Sequence, residues 1–425
     1  MDTLEQRQKN YAMLQVACVA VLWAASLFET GVDYFRSILG ITSFMLAAAG
    51  LFGLLTIEFL VFGTLTFNFG QAKQLKKVLL FSILLYIALS FLAIGWSPLP
   101  QAAFQKTLRI LWFFLLSLSS ILVLQKFRSG FAMKVLECSG VISLLALLMF
   151  VFSATNRARN WSANSISVFG DYNIFFLHLI VSVLLSVALM NQVFKKKVWL
   201  VHLAMLGAYG LLTFMLLYSG SRRGIIFYTL PLLAIAILTL RRSKGLFIPL
   251  TAVIVLGILA LSVLLPMLNE NFKFTTIQRI LVTIRQEGVL GMIGGRAERI
   301  AQAADYINGF TAFQLIFGAG TRAYTDMFGA GDHPHNFYFN AFIEGGLIKS
   351  TVAAILYLLF IGLGIVAARG RLFYQKVLIC SVAVMYVLNI CISGEDGLLL
   401  KLFWLLFVYF WCACNEDTEG QEATA

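Results

Sequence analysis

Two short polar sequences interrupt an otherwise greasy chain: Ser219-Gly220-Ser221-Arg222-Arg223-Gly224 and His333-Pro334-His335-Asn336. The first places two guanidinium groups in a tight turn between hydrophobic stretches. Its glycines let the backbone approach a ligand closely, and its serines, Ser221 among them, add hydroxyl and amide donors. Arginine presents a rigid fork that matches phosphate oxygens two at a time, so this turn is suited to hold a phosphate. The second sequence sets His335 between Pro334 and Asn336, where a loop meets a hydrophobic helix. A neutral imidazole with an ordinary pKa of about 6.5 takes a proton at physiological pH. Phosphate binding and proton removal on one side of a membrane would make an active site. The plain alternative for Arg222 and Arg223 is snorkelling toward lipid headgroups, which are themselves phosphates.

Arg296 follows Gly294-Gly295 and opens a candidate helix, where a phosphate would meet its guanidinium, free backbone N–H groups and the positive end of the helix dipole together. Arg299, one turn on, reads better as a solvated face. Of the four histidines, His178 and His202 lie inside apolar stretches and read as structural or pore-facing, whereas His333 and His335 lie in the loop. Downstream of them, Asn336, Asn340 and Glu344 recur at i, i+4 and i+8, one face of an amphipathic turn ending in Gly345-Gly346. The His-x-His pair has no cysteine or carboxylate cluster beside it in sequence. Neither a metal nor another cofactor is therefore expected.

The elements that must position these residues are hydrophobic. Of 425 residues, 60% are hydrophobic and only 12% charged, and the mean hydropathy is +0.87. Apolar runs of about 20 residues recur throughout, each long enough to cross about 30 Å of hydrocarbon. The pattern predicts an all-α polytopic membrane protein with about 12 spans, at 11–28, 38–62, 78–95, 108–125, 135–153, 173–193, 198–218, 224–240, 246–267, 346–368, 372–393 and 397–414. A β-barrel would instead alternate polar and apolar residues over about ten positions. Lysine and arginine cluster in every second connection, beginning with Arg7 and Lys9 ahead of an uncleaved first span. By the positive-inside rule both termini are then cytoplasmic. The turn at Arg222, the stretch 268–336 and the loop 156–171 fall on the opposite side. The net charge of +12 comes from these scattered clusters and not from a basic domain, which argues against a nucleic-acid partner. The six cysteines lie in or beside apolar spans and imply no disulfide framework.

The organisation is therefore spans one to nine over 1–267, a large loop over 268–336, spans ten to twelve over 337–414, and an acidic cytoplasmic tail over 415–425. Within the loop, Ile277–Gln286 reads as a short interfacial helix. Arg296–Asn308 reads as an amphipathic one through Ala297, Ile300, Ala301, Ala304 and Ile307. Gly318-Ala319-Gly320 marks a turn.

Together these pieces resemble the bacterial O-antigen polymerase and O-antigen ligase family of membrane glycosyltransferases. The resemblance rests on the Ser-x-Ser-Arg turn (Ser219–Arg222), Gly295-Arg296 opening a loop helix, and a Phe-Gly-x-Gly turn (Phe317–Gly320). The fourth piece is His335-Asn336 followed by an aromatic helix ending Glu344-Gly345-Gly346. The matching stretch runs from about Tyr218 to Ser350, and the first six spans match only as membrane helices. The resemblance implies a GT-C-type architecture in the bacterial inner membrane, with a periplasmic active site. It also implies transfer of a glycan from undecaprenyl pyrophosphate to a sugar hydroxyl. His335 would activate the acceptor, and Arg222 or Arg223, with Arg296, would hold the pyrophosphate; Ser221, His333, Asn336 and Glu344 would support them. The implied partners are a lipid-linked glycan donor, a lipid-linked or lipid A-core acceptor and membrane lipids, with room for a chain-length regulator. The wording Ser-Arg-Arg-Gly and His-Pro-His-Asn leans to a polymerase, with a ligase as the alternative. A lipid-linked oligosaccharide transporter is the rival of a different class, and would be expected to show midplane charges and broken helices.

Overall fold

The computed structural model of the chain describes residues 2–28, 43–62, 67, 69–155, 172–219, 222–242, 296–328, 336–393 and 397–415. Among them there is no strand. Hydrocarbon cannot satisfy backbone N–H and C=O groups, so apolar runs of this length close their hydrogen bonds internally as helices. In chain order these are α1 (Asp2–Phe28), α2 (Ser43–Phe62), α3 (Lys73–Leu92), α4 (Pro100–Leu124), α5 (Ser129–Thr155), α6 (Tyr172–Val193), α7 (Val198–Ser219) and α8 (Arg222–Arg242). After them come α9 (Arg296–Asn308), α10 (Ala312–Phe317), α11 (Ala323–Phe328), α12 (Phe337–Ala367), α13 (Phe373–Ser393) and α14 (Lys401–Ala413).

Seven helices among the described residues are long and apolar enough to cross a membrane: those over Asn10–Phe28, Lys73–Trp96, Pro100–Leu124, Ser129–Met149, Phe175–Val193, Phe337–Ala367 and Phe373–Cys391. Four shorter apolar helices, Phe44–Leu60, Trp199–Thr213, Gly224–Thr239 and Lys401–Ala413, occupy further expected spans. The expected span at 246–267, the interfacial helix Ile277–Gln286, the loop 156–171 and the acidic tail from Glu416 on lie outside the described residues.

One expected span has a different character. Residues 397–414 form a short 3-10 turn, Gly397–Leu399, followed by α14, which at about 1.5 Å per residue is only about 20 Å long. Leu402 to Ala413 are all buried, the signature of a core helix and not of a lipid-facing one. Its aromatic side chains make the centre of the bundle: Phe403 and Phe410 pack at a tilt against Phe360 of α12 at ring distances of 4.8 and 5.1 Å, and Trp404 meets Phe114 of α4 at 5.9 Å. Around it, α12 packs on α3 and α13, α6 on α5 and α13, and α8 on α13.

Polar contacts between helices join residues that the charge alternation puts on the same side. At the basic-loop end, Lys126 Nζ reaches Glu58 of α2 at 2.5 Å. Glu137 of α5 accepts from Gln192 of α6, Gln375 of α13 and Tyr409 of α14 at 2.7, 2.9 and 2.8 Å. There too His202 of α7 meets the Tyr374 hydroxyl at 2.6 Å. The α7 helix climbs from that contact for about 26 Å to Ser219, so that residue and the start of α8 stand at the far end. The first residue of α12 stands at that end as well, since α12 returns to the basic-loop end before α13 begins.

Candidate functional site

At that far end, two glycine-rich sequences from different parts of the chain fit into one another. The α12 helix begins at Asn336, whose φ and ψ of −148° and 119° are those of an N-cap. Its Oδ1 accepts the N–H groups of Tyr338 and Phe339 at 2.9 and 3.3 Å. Replacing Asn336 by alanine should lower stability by about 1 kcal/mol, and serine should keep most of it. Thermal unfolding of the two variants in detergent checks this. Eight residues on, the helix breaks: Gly345 and Gly346 have non-helical backbone, Gly346 with a φ of +63°.

The Phe317–Gly320 turn fills that break. Gly318 has a φ of +80° and Gly320 of +100°. Ala319 donates its N–H to the Ile343 carbonyl at 2.8 Å, and Gly320 to that of Glu344 at 3.2 Å. A third segment closes the joint from the α3 side: the Ser97 hydroxyl donates to the Thr321 carbonyl at 2.5 Å, and the Thr321 hydroxyl donates to the Ser90 carbonyl at 3.3 Å. Behind it, α9 packs Ala303, with Tyr306 and Ile307 alongside, against Ile343 and Tyr324. Of the stripe expected along Arg296–Asn308, only Ile307 joins this contact; Ala303 is the buried residue, and Ala301 is exposed.

Glu344 sits at the joint with 2% of its surface exposed. Lys106 of α4 reaches both carboxylate oxygens, at 2.9 and 2.8 Å. Lys349, one turn beyond the break, reaches Oε2 at 3.1 Å and lies over the Tyr86 ring at 4.9 Å. The Arg322 N–H donates to Oε1 at 3.0 Å. Charges this deep are tolerated only when paired, and here one carboxylate faces two ammonium groups. Beside the joint an apolar groove of about 250 Å³ is lined by Leu92, Trp96, Phe313, Phe317, Gly345 and Ile348.

Of the residues expected to carry chemistry, Arg222 and Arg223 open α8 and Arg296 opens α9. Asn336 and Glu344 lie on the first segment of α12, Asn336 spent on capping and Glu344 ion-paired. Ser221, His333 and His335 lie outside the described residues. His178 and His202 have structural partners: the ring Nδ1 of His178 lies 2.8 Å from the Leu27 carbonyl oxygen, and His202 holds Tyr374. Among the described residues, no three or more His, Cys, Asp or Glu side chains gather to hold a metal. Sequence reasoning missed Lys106, Lys349 and Arg322. The signal for Lys349 was its place inside an apolar run, where an unpaired charge is costly, whereas Lys106 precedes the expected span at 108–125 and gave none. Compared with protein-family models and with curated proteins, the chain matches none.

Proposed function

We propose that the chain is a membrane glycosyltransferase that moves a glycan from undecaprenyl pyrophosphate to a sugar hydroxyl, as an O-antigen polymerase does. The observation that carries this reading is the joint itself. The Phe-Gly-x-Gly and Glu-Gly-Gly sequences, two of the four pieces behind the resemblance, form one packed unit at the end of the bundle where the helices of Arg222 and Asn336 begin, and the helix opened by Arg296 packs on it. The groove beside it has the chemistry of an isoprenoid chain.

In this reaction the His335 imidazole takes the proton of the acceptor hydroxyl. That oxygen forms a bond to the anomeric carbon as the bond from this carbon to the diphosphate oxygen breaks, with inversion. Undecaprenyl diphosphate leaves with the electron pair, and Arg222 or Arg223 together with Arg296 stabilise the charge it gains. A diphosphate is a stable leaving group, so no general acid is needed. Replacing His335 by alanine should lower transfer about 10²–10⁴-fold, the usual share of general base catalysis. Loss of either clamp arginine should cost about 10²–10³-fold, as for other preorganised donors. Transfer to an added acceptor by purified protein in vesicles checks both, and wild-type rates from the His335 variant would remove the base. In cells lacking the chain, a single capped repeat fits the polymerase and free long polymer fits a ligase.

A second reading has an observation of its own. A helix broken at Gly345–Gly346 beside buried charges is a feature of transporters. Glu344 is the eighth residue of the 31-residue α12, however, about 12 Å from its start and ahead of the expected span at 346–368. Movement of a lipid-linked glycan across vesicles without new glycosidic bonds would favour transport.

A further inference from the structure

Arg322 lies two residues beyond the turn that fills the break in α12, and its backbone is unusual. Its φ is +71°, in the left-handed region that suits glycine and strains other residues. Such a backbone persists where its surroundings over-determine it, and these sites cluster where function needs a side chain aimed in a set direction. Here the constraint comes from both sides. The Arg322 N–H is held by Glu344 at 3.0 Å, and Thr321 before it is tied to Ser90, Ala93 and Ser97.

The side chain held this way has an unmet need. Its Nε is buried and has no hydrogen-bond partner. A buried donor of this kind is rare and costly. No carboxylate among the described residues forms an ion pair with its guanidinium. Nor is the neighbourhood short of positive charge. Among the described residues, Lys106 and Lys349 bring two charges to the carboxylate of Glu344, to which the backbone N–H of Arg322 is also bonded. Both ammonium groups are spent on Glu344, so they supply field and leave the guanidinium as the ligand. Arg322 is half-buried, where such a field is screened less than in open water and draws an anion more strongly.

We propose that Arg322 is an anion-binding residue, whose guanidinium takes phosphate oxygens of a diphosphate group. The forked N–H pair matches two such oxygens at once. Assigning that diphosphate to the lipid-linked glycan donor rests on the glycosyl-transfer reading above. The anion site itself does not.

The test is calorimetric binding of inorganic pyrophosphate to the purified full chain in detergent, with melting temperatures taken in its absence. Arg322→Gly removes the guanidinium and puts at φ +71° the one residue that accepts it without strain. The variant should melt no lower than wild type and bind pyrophosphate at least tenfold more weakly, with Arg322→Lys in between. Wild-type affinity in Arg322→Gly, or a lowered melting temperature without ligand, would overturn the proposal. Displacement of pyrophosphate by phosphatidylglycerol as readily as by more pyrophosphate would assign the site to membrane headgroups and overturn the diphosphate. Arg222→Ala and Arg296→Ala, measured alongside, separate the two readings. If they weaken binding and Arg322→Gly does not, this proposal fails alone. If only Arg322→Gly weakens it, the anion site stands and the transfer clamp falls. A wild-type chain that binds no pyrophosphate ends both.

Discussion

Replacing Glu344 by glutamine is expected to destabilise the chain by about 3–5 kcal/mol, the range for removing one partner from a buried charge pair. The carboxylate offers about four acceptor positions, and Lys106, Lys349 and the Arg322 N–H place donors on them at 2.8 to 3.1 Å. An amide of the same shape has one acceptor oxygen and turns donors toward the ammonium groups of lysines that are 5% and 1% exposed. Tyr86 under Lys349 offsets about 0.5–2 kcal/mol at best. Against a total stability of about 5–15 kcal/mol, the loss is large, and thermal unfolding in detergent reads it. Charge and shape can be told apart. Glu344→Leu combined with Lys106→Met and Lys349→Met removes all three charges at similar volume, and such replacements are often neutral. The triple variant should recover most of what Glu344→Gln loses. If it unfolds as early as the single variant, Glu344 acts through something other than its charge.

The same cluster shows where a linear pattern stops being informative. Glu344 is legible as a polar residue on one face of a short helix, and the break after it is legible from Gly345-Gly346. The Arg296–Asn308 helix is equally plain, because an apolar stripe of period 3.6 needs only local residues to be seen. Its predicted and observed limits agree. Partner choice is another matter. Lys106 lies 238 positions from Glu344, and nothing in the run Pro100–Leu124 says which carboxylate will meet its lysine. The apolar pattern also cannot separate a helix facing lipid from one facing protein, since both solvents are equally greasy. That is why α14 reads as a twelfth span and sits buried on every side. Arg322 had no signal at all beyond its type: what distinguishes it is a backbone angle and an unmet donor, both products of the folded joint.

Alanine at Gly346 is expected to do the most damage among single methyl additions, on the order of 3–5 kcal/mol when left-handed strain and overpacking are summed. A Cβ there would stand 2.4 Å from the Ile316 carbonyl carbon and oxygen. At Gly318 it would stand 2.3 Å from the Gly345 nitrogen. Both obstacles are backbone, so no side chain can swing aside, and relief requires the turn to withdraw from the break in α12. Withdrawal would release the hydrogen bonds from Ala319 and Gly320 and pull the Arg322 N–H away from Glu344. The direct result would be a lower melting temperature. The functional result follows if the joint sets the start of α12: transfer should fall well beyond what the lost stability explains at temperatures where the variant is still folded. Gly207 is the control. It lies inside α7 with nothing within 4 Å of its would-be Cβ, and alanine there should raise stability by up to about 1 kcal/mol. Equal behaviour of Gly207→Ala and Gly346→Ala in melting and transfer would show that the close fit of the two glycine sequences carries neither fold nor activity.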